Sequence, residues 1–186
     1  MEKATENQEF ISLEKTETNT IVVEVTYNLP SLEKATAIMK YTFYENGIIN
    51  VKTTVNNLAD HLPFLPRFGN NFILKNDFES GNWLGKEPFE NYQDRNTAAN
   101  IGDYKASVAD LYFPYIRPQE NGYKTENRWV TFTNAEGLGI KITAPKYFEF
   151  NAHHQYNSDF DAGEKKMQRQ TTDIKKRDFV NINIDN

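Results

Sequence analysis

Cysteine is absent from this 186-residue chain, and there are only three histidines. The first absence excludes disulfide frameworks, thiolate metal sites and a cysteine nucleophile, without fixing a compartment. No apolar run approaches the length of a membrane span or a signal-peptide core, so no membrane partner is expected. Positive charge is short as well: 21 Lys and Arg stand against 26 Asp and Glu, a net charge of −5. Phosphate recognition needs a concentrated positive field, which makes nucleic acid an unexpected partner. The densest basic runs, Lys165-Lys166 to Arg169 and Lys175-Lys176-Arg177, are flanked or separated by Glu164, Asp173 and Asp178 and read as a solvated face. Also missing are a Gly-rich phosphate cradle, a Ser-His-Asp arrangement and a dinucleotide fingerprint.

What the chain does have is aromatic bulk. Hydrophobic content is only 38%, but aromatics reach 13%, so a core of fewer and larger side chains is feasible. The length suits one well-buried domain. Residues 20–186 are read as that domain. Residues 1–19 form a polar N-terminal segment, either extraneous or partly ordered, and together with 163–177 they are the expected mobile parts.

The dominant period is two, the period of strands. Ile21, Val23, Val25 and Tyr27 alternate with Val22, Glu24 and Thr26. Residues 35–44 and 48–55 flank Glu45-Asn46-Gly47, and Asn-Gly at the centre predicts a tight antiparallel hairpin. Residues 67–76 and 78–84 are further candidates. Residues 129–133 and 139–143 pair around Asn134-Ala135-Glu136-Gly137, while 147–152 alternates aromatic and polar residues. Residues 179–184 close the set, with Val180, Ile182 and Ile184 in step. Helix signals are confined to one turn at 107–111 and a short capped segment at 158–162 ended by Gly163. Many short strands joined by polar loops predict an all-β antiparallel sandwich.

Two strand-poor regions, 85–106 and 112–127, carry the most distinctive residues. One contains Trp83-Leu84-Gly85-Lys86-Glu87-Pro88-Phe89-Glu90-Asn91-Tyr92-Gln93-Asp94-Arg95 and the other Tyr112-Phe113-Pro114-Tyr115-Ile116-Arg117-Pro118-Gln119-Glu120-Asn121-Gly122. Loops of such length bind something or pack against another part of an assembly. Glu87, Glu90, Asp94 and Glu120 suggest a glycosidase carboxylate pair. The plainer reading is that Glu90 and Asp94 accept bonds from nearby amides or pair with Arg95. His153 and His154 are adjacent on a predicted strand, point to opposite faces and do not suit one metal ion. Trp83, Tyr92, Tyr112, Tyr115 and Trp129 could stack on sugar rings, though most must belong to the core. Arg67 and Arg117 each adjoin a proline that stiffens the presentation of a guanidinium fork.

These strings, with Leu65-Pro66-Arg67 and Gly69 upstream and Phe148-Glu149-Phe150-Asn151 downstream, occur in an order that resembles the C-terminal, small-chain (fifth) domain of large bacterial β-galactosidases. Those enzymes form part of glycoside hydrolase family 2. The similarity spans roughly residues 20–186. It implies a large antiparallel supersandwich of galactose mutarotase type, of which this chain holds a truncated part. It also implies hydrolysis of terminal β-galactosides with retention by the complete enzyme, through two glutamates in a barrel domain. The chain departs from the family at Glu87, where Gly is usual. The family's sugar-reaching tryptophan loop is expected past Asn186.

The resemblance implies a non-catalytic module with no catalytic residue and no metal site of its own. Magnesium and sodium of the complete enzymes belong mostly to other domains. Glu90, Asn91, Tyr92, Asp94 and Arg95 are expected to fix the first loop. Arg117, Gln119, Glu120 and Asn121 are expected to fix the second or to meet another domain. Trp83, Tyr115 and His153 are weaker candidates for sugar contact. Expected partners are the parent's other domains, a galactoside and further copies of the subunit, in bacterial cytoplasm or periplasm. Two alternatives remain: a stand-alone carbohydrate-binding module, and an aldose epimerase-like enzyme using His153 or His154 with Glu120.

Overall fold

The computed structural model describes residues 8–17, 20–61, 67–160 and 170–185. Leu65-Pro66, the end of the segment 158–162 with Gly163, and the basic run 165–169 lie outside these residues. The chain divides into two compact units between Arg67 and Phe68. No shift in composition marks that division. Both units are built from antiparallel strands, so the all-β class expected from the period-two pattern is the class observed.

The first unit is a four-stranded sheet in sequence order, β1 (Glu9–Glu17), β2 (Ile21–Asn28), β3 (Thr36–Phe43) and β4 (Ile49–Asn56). β1 lies inside the N-terminal segment 1–19, which is thus partly ordered. It pairs with β2 along its length and carries a register shift between Phe10 and Ser12. A 3-10 turn at Pro30–Leu32 links β2 to β3. Register places Val23 opposite Tyr41, and Tyr41 opposite Val51. The sheet thus gathers Ile21, Val23, Val25, Met39, Tyr41, Phe43, Ile49 and Val51 on one face, with Glu24, Lys40 and Lys52 on the other.

The β3–β4 hairpin is present where Asn-Gly predicts it, but the turn differs in kind. Tyr44 N–H donates to the Ile48 carbonyl, and Gly47 N–H to that of Tyr44. Gly47 sits at φ +82° while Asn46 does not share a positive φ. This is a three-residue loop closed by a glycine in the left-handed region, rather than a two-residue turn. Asn134 to Leu138 repeats the same geometry, with Gly137 at φ +82°.

The second unit is a six-stranded sheet. Its strands are β5 (Gly69–Lys75), β6 (Ser80–Glu87), β7 (Asn100–Ser107), β8 (Lys124–Thr133), β9 (Gly139–His153) and β10 (Phe179–Asp185), in spatial order β5-β10-β9-β8-β6-β7. A single turn of helix, α1 (Val108–Leu111), follows β7 and is capped by Ser107, whose hydroxyl accepts from Asp110 N–H. Short 3-10 turns lie at Asn157–Phe160 and Thr171–Asp173.

Two corrections concern strand extent. β7 falls inside a region read as strand-poor, because its inward positions are Gly102, Tyr104 and Ala106 and its outward ones include Ile101. Small residues inside and an apolar one outside hide the alternation, and pairing along the whole of β6 decides the outcome. β9 is one strand of 15 residues rather than two. Its ladder with β8 skips from Thr143 to Phe148, and Pro145, which has no N–H to donate, sits in that gap.

One face of this sheet carries the core. Trp83, Val130, Phe132, Phe148, Phe150, Val180 and Ile182 are fully buried there together with Val108 of α1. Trp83 meets Phe150 edge-on at 5.6 Å, and Phe132 meets Phe150 at 6.0 Å. Each such side chain contributes about 1.5–3 kcal/mol on burial.

Candidate functional site

The two signature loops leave the sheet at the end of β6 and after α1, and they interlock. Asn91 is the pin. Its Oδ1 accepts from Thr125 N–H at 3.1 Å and from the Thr125 hydroxyl at 2.5 Å. Its Nδ2 donates to the carbonyls of Lys86 and Phe89, each at 3.0 Å, and its own N–H donates to the Tyr123 carbonyl. The residue is fully buried, and every polar atom of its side chain is engaged.

Glu90 clamps the second loop to the first. Oε2 accepts from Gly122 N–H at 2.8 Å and Oε1 from Arg95 Nη2 at 2.8 Å. Gly122 is required here: its φ is +70°, and a Cβ would stand 2.4 Å from the Leu111 carbonyl oxygen. Tyr92 stacks on Tyr123 at 5.2 Å, carries the Arg95 guanidinium 4.6 Å above its ring and donates weakly to the Glu120 carbonyl. Burial, then the neighbouring Glu90 and Glu120 carboxylates, push its phenol well above the usual range. Arg95 also donates to the Tyr115 hydroxyl at 3.1 Å.

Asn121 organises the second loop. Its Oδ1 accepts from Phe113 N–H and its Nδ2 donates to the Gln119 carbonyl. Its own carbonyl accepts from His153 Nε2 at 2.8 Å. His153 is fully enclosed between Tyr112 and Phe160. His154 faces elsewhere, with Nδ1 at the Phe179 carbonyl and Nε2 2.7 Å from Glu79.

Beside the loops runs an amide ladder, exposed at Asn71 and otherwise largely buried, that sequence reasoning missed. Asn71 Nδ2 donates to both Asn181 Oδ1 and Asn183 Oδ1, Asn183 Nδ2 to Asn151 Oδ1, and Asn151 Nδ2 to Glu120 Oε1 at 2.6 Å. β10 is therefore buried on both faces: Val180 and Ile182 on one, Asn181, Asn183 and Asp185 on the other. The available signal was three short polar residues alternating inside an otherwise apolar strand. Asn and Asp are poor strand formers unless their side chains are paired. Nearby, the Tyr123 hydroxyl lies 2.8 Å from Asp185 and 2.9 Å from Glu149, and these carboxylates push the already buried phenol further up.

On the core side of the same loops lies a cavity of about 500 Å³, lined by Trp83, Glu87, Phe89, Tyr104, Phe113 and Lys124, among others. Lys124 and Glu87 form a buried ion pair at 3.0 Å. A bulge in β8, where Glu126 adopts φ +53°, accompanies this placement. Asn127 Nδ2 repairs the ladder there by donating to the Lys124 and Phe148 carbonyls. Burial raises the Glu87 carboxyl and lowers the Lys124 ammonium, and each partner opposes the other's shift.

Not every expected loop-fixing residue takes part. The side chains of Asp94 and Arg117 are exposed and make no hydrogen bond or ion pair among the described residues. Gln119 contributes its carbonyl rather than its side chain. Among the described residues no three His, Asp or Glu converge as a metal-ion set. Both Glu90 oxygens and one Glu120 oxygen are held by internal donors, so the arrangement offers hydrogen-bonded support rather than an acid facing a base across a cleft.

The family model described as "Beta galactosidase small chain" matches residues 2–186. The chain belongs to the β-galactosidase small chain family. Curated β-galactosidases agree. That of Priestia megaterium is 37% identical over 118 residues, covering 63% of this chain and 11% of that protein. That of Pseudoalteromonas haloplanktis is 38% identical over 112 residues, 60% of this chain and 11% of that protein. The Streptococcus thermophilus enzyme is 33% identical over 148 residues, 72% of this chain and 14% of that protein. The β-galactosidase small-chain segment therefore matches only about a tenth of the length of the first two relatives. Within it, the three residues considered for sugar contact differ in position. Trp83 and His153 are enclosed at 1% and 0% exposure, whereas half-buried Tyr115 packs against Phe113.

Proposed function

We propose that this chain is a non-catalytic module of a glycoside hydrolase family 2 β-galactosidase, supporting the active-site region and the assembly of an enzyme that hydrolyses terminal β-D-galactosides. The observation that carries this reading is the internal use of Glu90, Glu120 and His153, the buried or half-buried groups of this region suited to acid–base work. Glu90 holds Gly122 and Arg95, Glu120 holds Asn151, and His153 holds the Asn121 carbonyl. An epimerase using His153 with Glu120 would need those same groups released from their partners.

The loops instead present Ile116, 95% exposed, and Arg117, which has no ion pair among the described residues, next to Pro118. The guanidinium carried beside Pro118 suits a carboxylate of another domain of the parent, and assembly into a homo-oligomer is proposed with it. On this reading, magnesium and sodium of the complete enzyme would be held mostly by its other domains.

The test uses the complete enzyme. Arg117→Ala combined with Ile116→Ser should leave the fold of this segment intact, and should lower both the thermal stability of the assembly and its turnover of a chromogenic galactoside. A double variant with unchanged assembly and turnover would overturn the reading.

A further inference from the structure

The tripeptide Glu-Asn-Gly occurs twice in this chain, at Glu45-Asn46-Gly47 and at Glu120-Asn121-Gly122. Asparagine before glycine is chemically unstable wherever the glycine nitrogen can reach the asparagine side-chain carbonyl carbon. Glycine is the most permissive follower because no Cβ shields its nitrogen or restricts its backbone. The shared tripeptide gives both sites the same intrinsic chemistry, and the next residue, Ile48 or Tyr123, is the first downstream difference. The fold then sets them apart.

Asn46 stands at the exposed tip of the β3–β4 hairpin. Its Oδ1 accepts from Ile48 N–H at 3.1 Å, which folds the side chain back along the main chain and draws electrons from Cγ. Gly47 has φ +82°, and a Cβ built on it would meet nothing within 4 Å, so open space surrounds the reacting nitrogen. One bond resists attack: Gly47 N–H donates to the Tyr44 carbonyl at 3.0 Å. That bond lies in a solvent-exposed turn, where local opening costs little.

Asn121 has the opposite surroundings. It is 1% exposed, with Oδ1 held by Phe113 N–H and Nδ2 by the Gln119 carbonyl. Gly122 N–H donates to Glu90 Oε2 at 2.8 Å, a charge-assisted bond that keeps the proton on the nitrogen that would have to lose it. A Cβ on Gly122 would collide with the Leu111 carbonyl oxygen, so the space needed for a new ring is already filled.

We propose that Asn46 is a site of spontaneous modification, converting through a cyclic imide to aspartyl and isoaspartyl products, while the loop around Asn121 preserves it. Hydroxide takes the Gly47 amide proton and the Gly47 N–Cγ bond forms. The Asn46 side-chain nitrogen leaves as ammonia with a proton from water, which restores the hydroxide. One water then opens the ring. Cleavage at Cγ gives the aspartyl form, and cleavage at the main-chain carbonyl gives the isoaspartyl form. An aspartyl carboxylate can still accept from Ile48 N–H. The isoaspartyl form adds a methylene to the main chain of the loop and loosens the start of β4, where Ile49 and Val51 lie. The proposal goes beyond the module role and does not depend on it.

The experiment is incubation of the folded 186-residue chain in mildly alkaline buffer, followed by tryptic digestion. The two sites fall in separate peptides, 41–52 and 106–124. Mass spectrometry reads amide-to-acid conversion, with fragment ions assigning the position, and enzymatic methylation reads isoaspartyl carboxyls. Conversion at Asn46 should run at least about tenfold faster than at Asn121, because the latter requires the clamped loop to open first. In denaturant the two rates should converge. Glu90→Ala frees Gly122 N–H and should raise conversion at Asn121 at least about threefold with Asn46 unaffected, in a chain that retains a cooperative melt. Three results would overturn the proposal: no conversion at Asn46 in the folded chain, equal rates at the two sites in the folded chain, or a rate difference that persists undiminished in denaturant. The folded-against-denatured comparison decides even where Glu90→Ala does not fold.

Discussion

At the level of single residues, the interior of the loops matters far more than their exposed charges. Asn91→Ala would strand the Lys86 and Phe89 carbonyls and the Thr125 N–H in a buried site. The expected loss is about 3 kcal/mol, read by denaturant unfolding. Arg95→Ala removes a half-exposed partner of Glu90 and should cost only about 0.5–1 kcal/mol in the same assay. Equal losses for the two variants would contradict this division.

The Lys124–Glu87 pair behaves differently again. Lys124→Met alone leaves a buried carboxylate uncompensated and should cost about 3–5 kcal/mol, whereas the double variant with Glu87→Gln should recover most of that. The pH dependence follows from the two shifts. The raised Glu87 contributes stability below its ordinary value of 4.5 and loses it as pH rises through the folded-state value. The lowered Lys124 contributes above its ordinary 10.5 and loses it as pH falls through the folded-state value. Between those two limits both shifts oppose folding. The double variant should therefore show a flatter stability-versus-pH curve on either side of neutral; an unaltered curve would contradict the assignment.

At the level of elements, the left-handed glycines separate two costs. Gly137 has φ +82° and open space where a Cβ would go, so Gly137→Ala bears backbone strain alone, about 1 kcal/mol. Gly122 has the same kind of backbone and a carbonyl oxygen 2.4 Å from the added atom. Gly122→Ala should cost about 3 kcal/mol and loosen the loop clamped by Glu90, visible as faster amide exchange at Gly122. Similar stability losses for the two would count against the clamp.

Elements also show what the sequence displayed and what it hid. β2, β3, β4 and β10 were legible because large apolar residues alternate cleanly along one face of each. β7 was not, because Gly102 and Ala106 carry no hydrophobic signal on its inward side. The two signature strings were legible as a unit, and Glu90, Asn91, Tyr92 and Asn121 do converge. Only the β10 part of the amide ladder left a signal, because residues 71, 151, 181 and 183 meet through the pairing of three strands. Asp94 and Arg117 read as loop fixers by residue type alone, yet their surroundings are solvent.

At the level of the whole molecule, the first unit sets the behaviour in solution. Its sheet gathers apolar residues on one face, several of them still open: Ile21 at 42% exposure, Ile49 at 54% and Val51 at 44%. β1 also offers an edge. Apolar surface and open ladders favour association between copies. Light scattering should show a mass that rises with concentration, and substituting Val51→Lys with Ile49→Lys should shift it towards monomer. A strictly monomeric species at high concentration would contradict this.

The measurement that bears most directly on the central claim is hydrolysis of a chromogenic β-galactoside by the purified 186-residue chain, alongside the complete enzyme. A support module whose Glu90 and Glu120 carboxylates are held by internal donors should give no turnover above the uncatalysed rate. Turnover approaching that of the complete enzyme would contradict the account.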